Sequence, residues 1–439
     1  MELPTVEQLK ISRLGDGQIP SPLAKGGEIF ADDEARVLVP SELAQLEGRD
    51  GDPPTFEMAG PRRQIFFDPE TLGCGILTCG GLCPGLNDVI RSLVLTLRWG
   101  YGVKRILGFR YGYNGLTRKP RAAPVELTRE AVDHIHQEGG TVLGSSRGPQ
   151  DVAEMVGVLV ERDIRLLFTI GGDGTLRGAA AIADEVRRRG LDIAVVGIPK
   201  TIDNDLSWIE RSFGFATAVE EASRAIAAAH TEARGAWNGV GLVKLMGRHS
   251  GFIAAHATLS NSDVNFCWVP EVPLRLDAFL AALAQRLEDR HHAVVVVAEG
   301  AGQDLLEEDA DGTVRDASGN VQLGDIGPFL KAKIKRFFAE RGQPMSIKYI
   351  DPSYIIRSLP ANSIDSEYCL LLGQHAVHAG MSGRTGMMVG YWNQRFTHVP
   401  LRLAAGQRKQ IDPDANVWQR VLGATGQPRS MARPAQEPS

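Results

Sequence analysis

The sequence predicts an α/β chain built as two αβα sandwich lobes with largely parallel sheets. Three observations predict it. From residue 74 onward, short apolar runs are followed by Gly-rich turns and then by helical stretches, which is the rhythm of βαβ units. A second series of the same kind begins near residue 213. Finally, 439 residues are too many for one core at roughly 150 residues per domain.

Residues 1–71 mix charge, Pro and Gly with weak periodicity, and only GEIFADDEARVLVP and RRQIFFDPE have strand-forming composition. They read as an N-terminal extension packed on the main body. The first lobe, 72–214 with about 355–395, contains CGILTCGG before the helical DVIRSLVLTLRWG, IRLLFTIGGDG before TLRGAAAIADEVRRRG, and DIAVVGIPK before the TIDND loop. The second, 215–354 with about 396–424, contains the long helix FGFATAVEEASRAIAAAHTEA, the strand VGLVKLMG, a helix around PLRLDAFLAALAQRLEDR and the strand HAVVVVAEG. The acidic, turn-rich stretch 302–324 is expected as a surface excursion before the helix IGPFLKAKIKRFFAERG. Residues 425–439, polar and Pro-containing, are expected to be a disordered tail.

Composition narrows the function classes. A formal net charge of −5 without any dense Lys/Arg run argues against a general grip on nucleic acid. No apolar run reaches the roughly 18 residues of a membrane helix, so no membrane role is expected. The opening MELPTVEQLKISRLGDG has no apolar core between its charges, so a cytoplasmic address is expected rather than secretion. Five cysteines, an odd number without CxxC spacing, read as reduced structural thiols.

The chemistry-bearing residues lie in turns after strands. LTCGGLCPGLNDVIR (77–91) exposes backbone amides at Gly81 and Gly85 before a helix, which suits an anion, although a plain βα turn has the same look. In TIGGDGTLRGA (169–179), Asp173 stands among glycines at a strand end. A carboxylate there repels a bare polyphosphate, so it makes sense with a magnesium ion between them, or else as a helix cap. IPKTIDNDL (198–206) puts Asp203 and Asp205 around Asn204, giving either a base for a substrate hydroxyl or an Asx-rich turn. Arg248 in LMGRHSGF has the forked guanidinium that grips phosphate, and Glu299 follows a strand where it can accept hydrogen bonds from sugar hydroxyls or simply face solvent. Lys348, Tyr354 and Arg357 suit a sugar phosphate, and Arg147 suits a donor's phosphates.

Together, GGLCPGLN, GSSRG, GGDGT, PKTIDND, LMGRHSG, AEG and YIIR occur in the order found in the phosphofructokinase family, which the chain resembles over about residues 72–395. GGDGT alone is also similar to NAD kinases and diacylglycerol kinases, but those lack TIDND and MGR. The resemblance implies an active site in the cleft between the lobes, transfer of the γ-phosphoryl of ATP to O1 of fructose 6-phosphate with Mg2+, and a homo-oligomer, dimer or tetramer. Motif by motif, it implies that Gly81, Arg147, Gly148, Gly172, Asp173, Gly174 and Thr175 hold the donor nucleotide, with Asp173 on magnesium. It implies that Thr201, Ile202 and Asp203 meet the sugar, with Asp203 as proton acceptor, and that Met246, Gly247, Arg248, Glu299, Tyr354 and Arg357 complete that pocket.

Two departures from the short bacterial ATP-dependent pattern bear on these implications. Lys200 stands where that pattern has Gly, as in pyrophosphate-dependent members, whereas Gly174 is the ATP-type residue in place of their Asp. An Asp side chain would crowd and repel the nucleotide's α-phosphate, so ATP is the expected donor and pyrophosphate the alternative. The combination resembles the plant and trypanosomal branch. Second, the arginine that short bacterial enzymes extend across a subunit interface is replaced by Gly239, leaving Arg234 or Lys348 to substitute. A non-catalytic sugar-phosphate or nucleotide sensor is disfavoured because Asp173, Asp203 and Arg248 are all retained.

Overall fold

The unbroken apolar runs GCGILT, LLFTIG and AVVGIP become strands buried along their whole length, as central strands of a parallel sheet must be. The computed structural model describes residues 3–27, 29–48, 51–307, 323–406 and 408–431. In chain order the principal elements begin with β1 (Arg36–Leu38), β2 (Thr55–Met58), β3 (Gly73–Thr78), α1 (Leu86–Leu95), β4 (Arg105–Phe109), β5 (Val125–Glu126) and α2 (Val152–Glu161). Next come β6 (Leu166–Gly171), α3 (Asp173–Arg188), β7 (Ala194–Pro199), α4 (Phe215–Arg234), β8 (Gly239–Leu245), α5 (Phe252–Leu259) and β9 (Phe266–Trp268). The chain continues through α6 (Leu276–Arg290), β10 (His292–Ala298), α7 (Ile326–Glu340), β11 (Ser346–Ile350) and α8 (Ser353–Arg357). It closes with α9 (Ser363–Met381), β12 (Met387–Trp392), β13 (Arg395–Pro400) and α10 (Asn416–Thr425).

The first unit comprises Met1–Ile202, Leu206–Gly214 and Ser358–Arg408. Its nine-stranded sheet runs β1-β2-β13-β12-β7-β6-β3-β4-β5. The inner strands β12, β7, β6, β3 and β4 are parallel, with Cys74 opposite Leu166 and Leu166 opposite Ala194, and antiparallel strands flank them on both sides. From β3 the chain moves outward to β4 and then returns to place β6 on the other side of β3. The direction of winding therefore reverses between β3 and β6, and such switch points are where open α/β sheets bind ligands.

The N-terminal segment belongs to this unit and extends its sheet. β1 lies within the first strand-like piece, and Gln64–Ile65, within the second, form a small antiparallel ladder with Ile19–Pro20. β2, which the sequence did not suggest, pairs with β13. Its Glu57 is buried against Arg62 at 3.2 Å, Arg384 and His398, so an apparently solvent-facing residue is an internal anchor. The unit's last boundaries fall at Ser358 and Arg408, so β13 sits here and not with the second series.

The second unit comprises Asp203–Asp205, Phe215–Arg357 and Lys409–Ser439, around a parallel sheet ordered β9-β10-β8-β11. Val240 and Leu242 of β8 pack into one cluster with Phe279 and Leu283 of α6 and Leu330 and Ile334 of α7. The alternate positions, Gly239 and Gly241, meet α4. A Cβ on Gly239 would stand 2.0 Å from the Ala233 carbonyl oxygen, and one on Gly241 2.6 Å from that of Ala229. The close helix explains why position 239 carries no side chain, arginine included.

Residues 425–431 are not a disordered tail. The Gln427 side chain bonds both the N–H (2.7 Å) and the carbonyl (3.2 Å) of Cys267 on the sheet-edge strand β9, and the Met431 carbonyl accepts the Arg275 N–H while its side chain is buried. A polar residue there serves as the edge strand's hydrogen-bond partner. The remaining tail, 432–439, and most of the expected excursion, 308–322, lie outside the described residues. Among the described residues no helix is long and apolar enough to cross a membrane.

Candidate active site

In the first unit, the turns after β3 and β6 flank the switch point and are tied to each other and to a third loop. Gly80 donates its N–H to Ser146 at 3.1 Å and accepts from the Ser145 hydroxyl at 2.5 Å, which brings the loop containing Arg147 and Gly148 to the turn containing Gly81. The Lys200 ammonium, on a residue only 7 % exposed, donates to the Gly81 carbonyl at 2.6 Å, and the Lys200 N–H bonds Gly171. Lys200 thus ties the turn after β7 to the turn after β3 and to the end of β6.

The glycines here divide into two kinds. Gly85 caps α1 at φ 99°, with Cys369 Sγ 2.6 Å from any Cβ, and Gly171 would drive a Cβ to 2.2 Å from Thr175 Oγ1. The fold demands both. Gly174 is different, since a Cβ there would have only Arg177 Nη2 near it, at 4.0 Å, and Gly81 has only Arg147 Nη2, at 3.7 Å. At these two positions the space beside the backbone is open, and packing gives no reason for glycine.

Asp173 is the first residue of α3, not its cap, which is Gly172. One carboxylate oxygen accepts Arg177 at 2.6 Å and the other accepts the Gly406 N–H at 3.0 Å, with Arg408 at 3.9 Å. The partner Arg177 lies one helical turn on, a spacing readable in the sequence. Thr175 is buried, and its carbonyl accepts the Tyr113 hydroxyl at 2.6 Å. Among the described residues no group of three or more His, Cys, Asp or Glu could hold a metal ion. The five cysteines are buried and form no disulfide, and burial raises the thiols of Cys74, Cys79, Cys267 and Cys369, Cys79 to about 11 despite the nearby Lys200 charge and Cys267 to about 12. Protonated thiols of this kind are inert.

The chain passes from the first unit to the second within the TIDND loop. Thr201, whose carbonyl accepts the Ser212 hydroxyl at 2.5 Å, and the buried Ile202 belong to the first unit, and Asp203 to the second. Asn204 has φ 54°, the left-handed conformation that asparagine tolerates. It therefore supplies the left-handed residue of the turn. The Asp205 carbonyl accepts the Lys409 N–H at 2.7 Å.

In the second unit, Met246, Gly247, Arg248 and Glu299 meet at the carboxyl ends of the neighbouring strands β8 and β10. The Glu299 N–H donates to Leu245 at 2.8 Å and the Gly300 N–H to Gly247 at 3.0 Å. A Cβ on Gly300 would come within 2.0 Å of the Arg248 carbonyl oxygen. α8 joins them, with Arg357 Nε 3.2 Å from Met246 Sδ, while Tyr354 is exposed. Lys348 stands apart from this group, its ammonium 3.9 Å from Glu232 of α4.

The phosphofructokinase family model matches residues 73–380. A curated relative, the ATP-dependent 6-phosphofructokinase of Amycolatopsis methanolica, is 47 % identical over 96 % of this chain and 95 % of its own length. The ATP-dependent 6-phosphofructokinase of Trypanosoma cruzi is 45 % identical over 96 % of this chain and 88 % of its own. Among solved structures, a pyrophosphate-dependent phosphofructokinase from Marinobacter aquaeolei superposes with a TM-score of 0.67 at 20 % identity, covering 84 % of this chain and 94 % of that one. Such distant identity speaks to the fold alone. With most of its length matched by the family model and by close relatives, and with the family's turns at the strand ends described above, this chain belongs to the phosphofructokinase family.

Proposed function

We propose that the chain is an ATP-dependent 6-phosphofructokinase, transferring the γ-phosphoryl group of ATP to O1 of fructose 6-phosphate to give fructose 1,6-bisphosphate. What carries this reading is a division of labour. Gly81 and Gly172–Thr175 flank the switch point of the first unit, and Met246–Arg248, Glu299 and Arg357 converge on neighbouring strand ends of the second. The names of the close relatives point the same way.

In this reading the amides near Gly81 and Gly174 hold the donor's phosphates in line, and Arg147 spreads the charge of the transferring group. Arg248 and Arg357 grip the sugar's phosphate and Glu299 accepts from its hydroxyls. Asp203 takes the proton from O1 as that oxygen attacks phosphorus. Asp173 would hold magnesium, which when bound neutralises charge on the donor phosphates. Mg2+ keeps much of its water and takes only one or two carboxylates beside substrate phosphates, so a single carboxylate at the start of α3 fits it without a protein cage.

Gly174 supports ATP over pyrophosphate, because the open space beside it is free of any fold requirement. Pyrophosphate is the second reading, favoured by Lys200. Purified protein incubated with fructose 6-phosphate and each donor in turn, with the bisphosphate measured through aldolase, separates them. Product with ATP alone is expected; product with pyrophosphate and none with ATP would overturn the choice.

A further inference from the structure

Lys244 is a β8 residue two positions before Met246, and its side chain is only 12 % exposed. A buried ammonium needs partners. It has two, Asp325 Oδ1 and Asp351 Oδ2, each at 2.9 Å. Burial opposes the charge, yet the bonds to the two carboxylates outweigh it and raise the lysine pKa, while Asp351 is lowered, its own desolvation outweighed by Ser353 and Lys244.

The two carboxylates begin different segments. Asp325 caps α7, accepting the Gly327 N–H at 3.3 Å. Asp351 lies one residue beyond β11, whose last pairing with β8 is Ile350 opposite Val243. Its Oδ1 accepts both the N–H (3.1 Å) and the hydroxyl (2.6 Å) of Ser353, the first residue of α8. Its other oxygen is the one Lys244 holds. At the far end of the same short helix, Arg357 Nε meets Met246 Sδ at 3.2 Å. The segment 351–357 is therefore fastened at its start to Lys244, in β8, and at its end to Met246, the first residue beyond that strand.

We propose that Lys244 is a positioning residue for acceptor binding. Through Asp351 it fixes the entry of α8 and so the place of Arg357 beside Met246. The proposal rests on the reading above that Arg357 grips the sugar phosphate. A helix of five residues cannot hold its own direction in water, so its placement depends on its tertiary contacts: the buried Ile356 seats its middle, and these two contacts fix its ends. A shift on the order of 1 Å in a substrate-gripping group is costly, up to about 10²-fold.

The test is a set of steady-state measurements on the full chain. Lys244→Met is expected to raise KM for fructose 6-phosphate about tenfold while KM for ATP stays within about twofold. Asp351→Asn, which retains an oxygen for Ser353 but removes the charge that Lys244 holds, is expected to do the same and stands in if the methionine variant fails to fold. Asp325→Asn keeps an oxygen for the Gly327 N–H and leaves the Lys244–Asp351 pair in place, so it should leave KM for fructose 6-phosphate within about twofold. The deciding measurement is the double variant Lys244→Met with Arg357→Ala, whose KM should equal that of Arg357→Ala alone, since a residue acting through Arg357 has nothing left to position. Additive effects, or an Asp325→Asn effect as large as that of Asp351→Asn, would overturn the proposal. An unchanged KM in Arg357→Ala would remove the acceptor-site reading itself, and the proposal with it.

Discussion

The Asp173 carboxylate and the Arg177 guanidinium meet at 2.6 Å across one turn of α3, so the carboxylate proposed to hold magnesium is already engaged by a cation of the protein. A guanidinium and a metal ion compete for the same oxygen. The pair is exposed on its arginine side, and contacts of this kind are worth about 0–1 kcal/mol. Replacing the arginine should therefore help the metal by a modest factor. Arg177→Met is expected to lower the free Mg2+ concentration giving half-maximal rate by about two- to fivefold. A magnesium titration at saturating ATP and fructose 6-phosphate measures it, and a raised requirement would show that Arg177 assists rather than competes.

Gly171 and Gly174 lie three residues apart yet should behave oppositely when substituted. Gly171→Ala forces a Cβ to within 2.2 Å of Thr175 Oγ1 and should destabilise the protein by about 1–3 kcal/mol. Gly174→Asp meets open space in the first turn of a helix, where a negative charge is welcome, so the fold should be as stable as before. Its ATP-dependent activity should nevertheless be abolished by the added bulk and charge. Thermal unfolding together with the ATP assay checks both, and retained ATP turnover in Gly174→Asp would mean that this position is not the donor gate.

Asp203→Asn preserves the shape of the turn, whose left-handed residue is Asn204. It should lower kcat with ATP by at least about 10² while changing KM for fructose 6-phosphate little, as removal of a general base does. Near-normal turnover would remove Asp203 from the role of base.

Much of this arrangement was legible in the sequence because local patterns carried it. The buried runs before Gly-rich turns became β3, β6, β7, β8 and β10, and many of the predicted residues follow these strands, while Arg147, Gly148, Tyr354 and Arg357 lie elsewhere. What escaped was decided by contacts between residues distant in sequence. Lys244 looks like an interruption in an apolar strand until Asp325 and Asp351 are brought to it from 81 and over 100 positions away. Gly239 looks like a missing arginine until α4 is seen to lie on it. Residues 425–431 look like tail because the edge strand that Gln427 completes is about 160 residues upstream. Arg177 is the exception, since its i, i+4 relation to Asp173 is local and stands in the sequence itself.

The same long-range burial predicts how the first unit responds to acid. His378 and His398 are buried and His375 is partly buried, with Arg62 and Arg384 nearby; burial lowers His375 and His398 to about 4 and His378 to about 3, opposed at His398 by Glu57 and reinforced by the arginine charges. In an unfolded chain histidine titrates near 6.5. Between those values the unfolded state takes up protons that the native state refuses, so stability is full above about pH 6.5 and is lost as pH falls toward 4. Each histidine adds to that loss, and since their charges oppose one another the contributions are coupled. Glu57 does not offset it. Burial alone would raise its carboxyl, but the hydrogen bond with His398 and the Arg384 charge hold it far below the usual range, so it remains ionised throughout this window. The urea midpoint should thus be nearly flat from pH 8 to 6.5 and fall steeply below it. His375 stacks on Phe396 at 4.4 Å, so His375→Phe keeps an aromatic ring there and should make the decline shallower by roughly a third. An unchanged slope in that variant would place the acid sensitivity elsewhere than in these histidines.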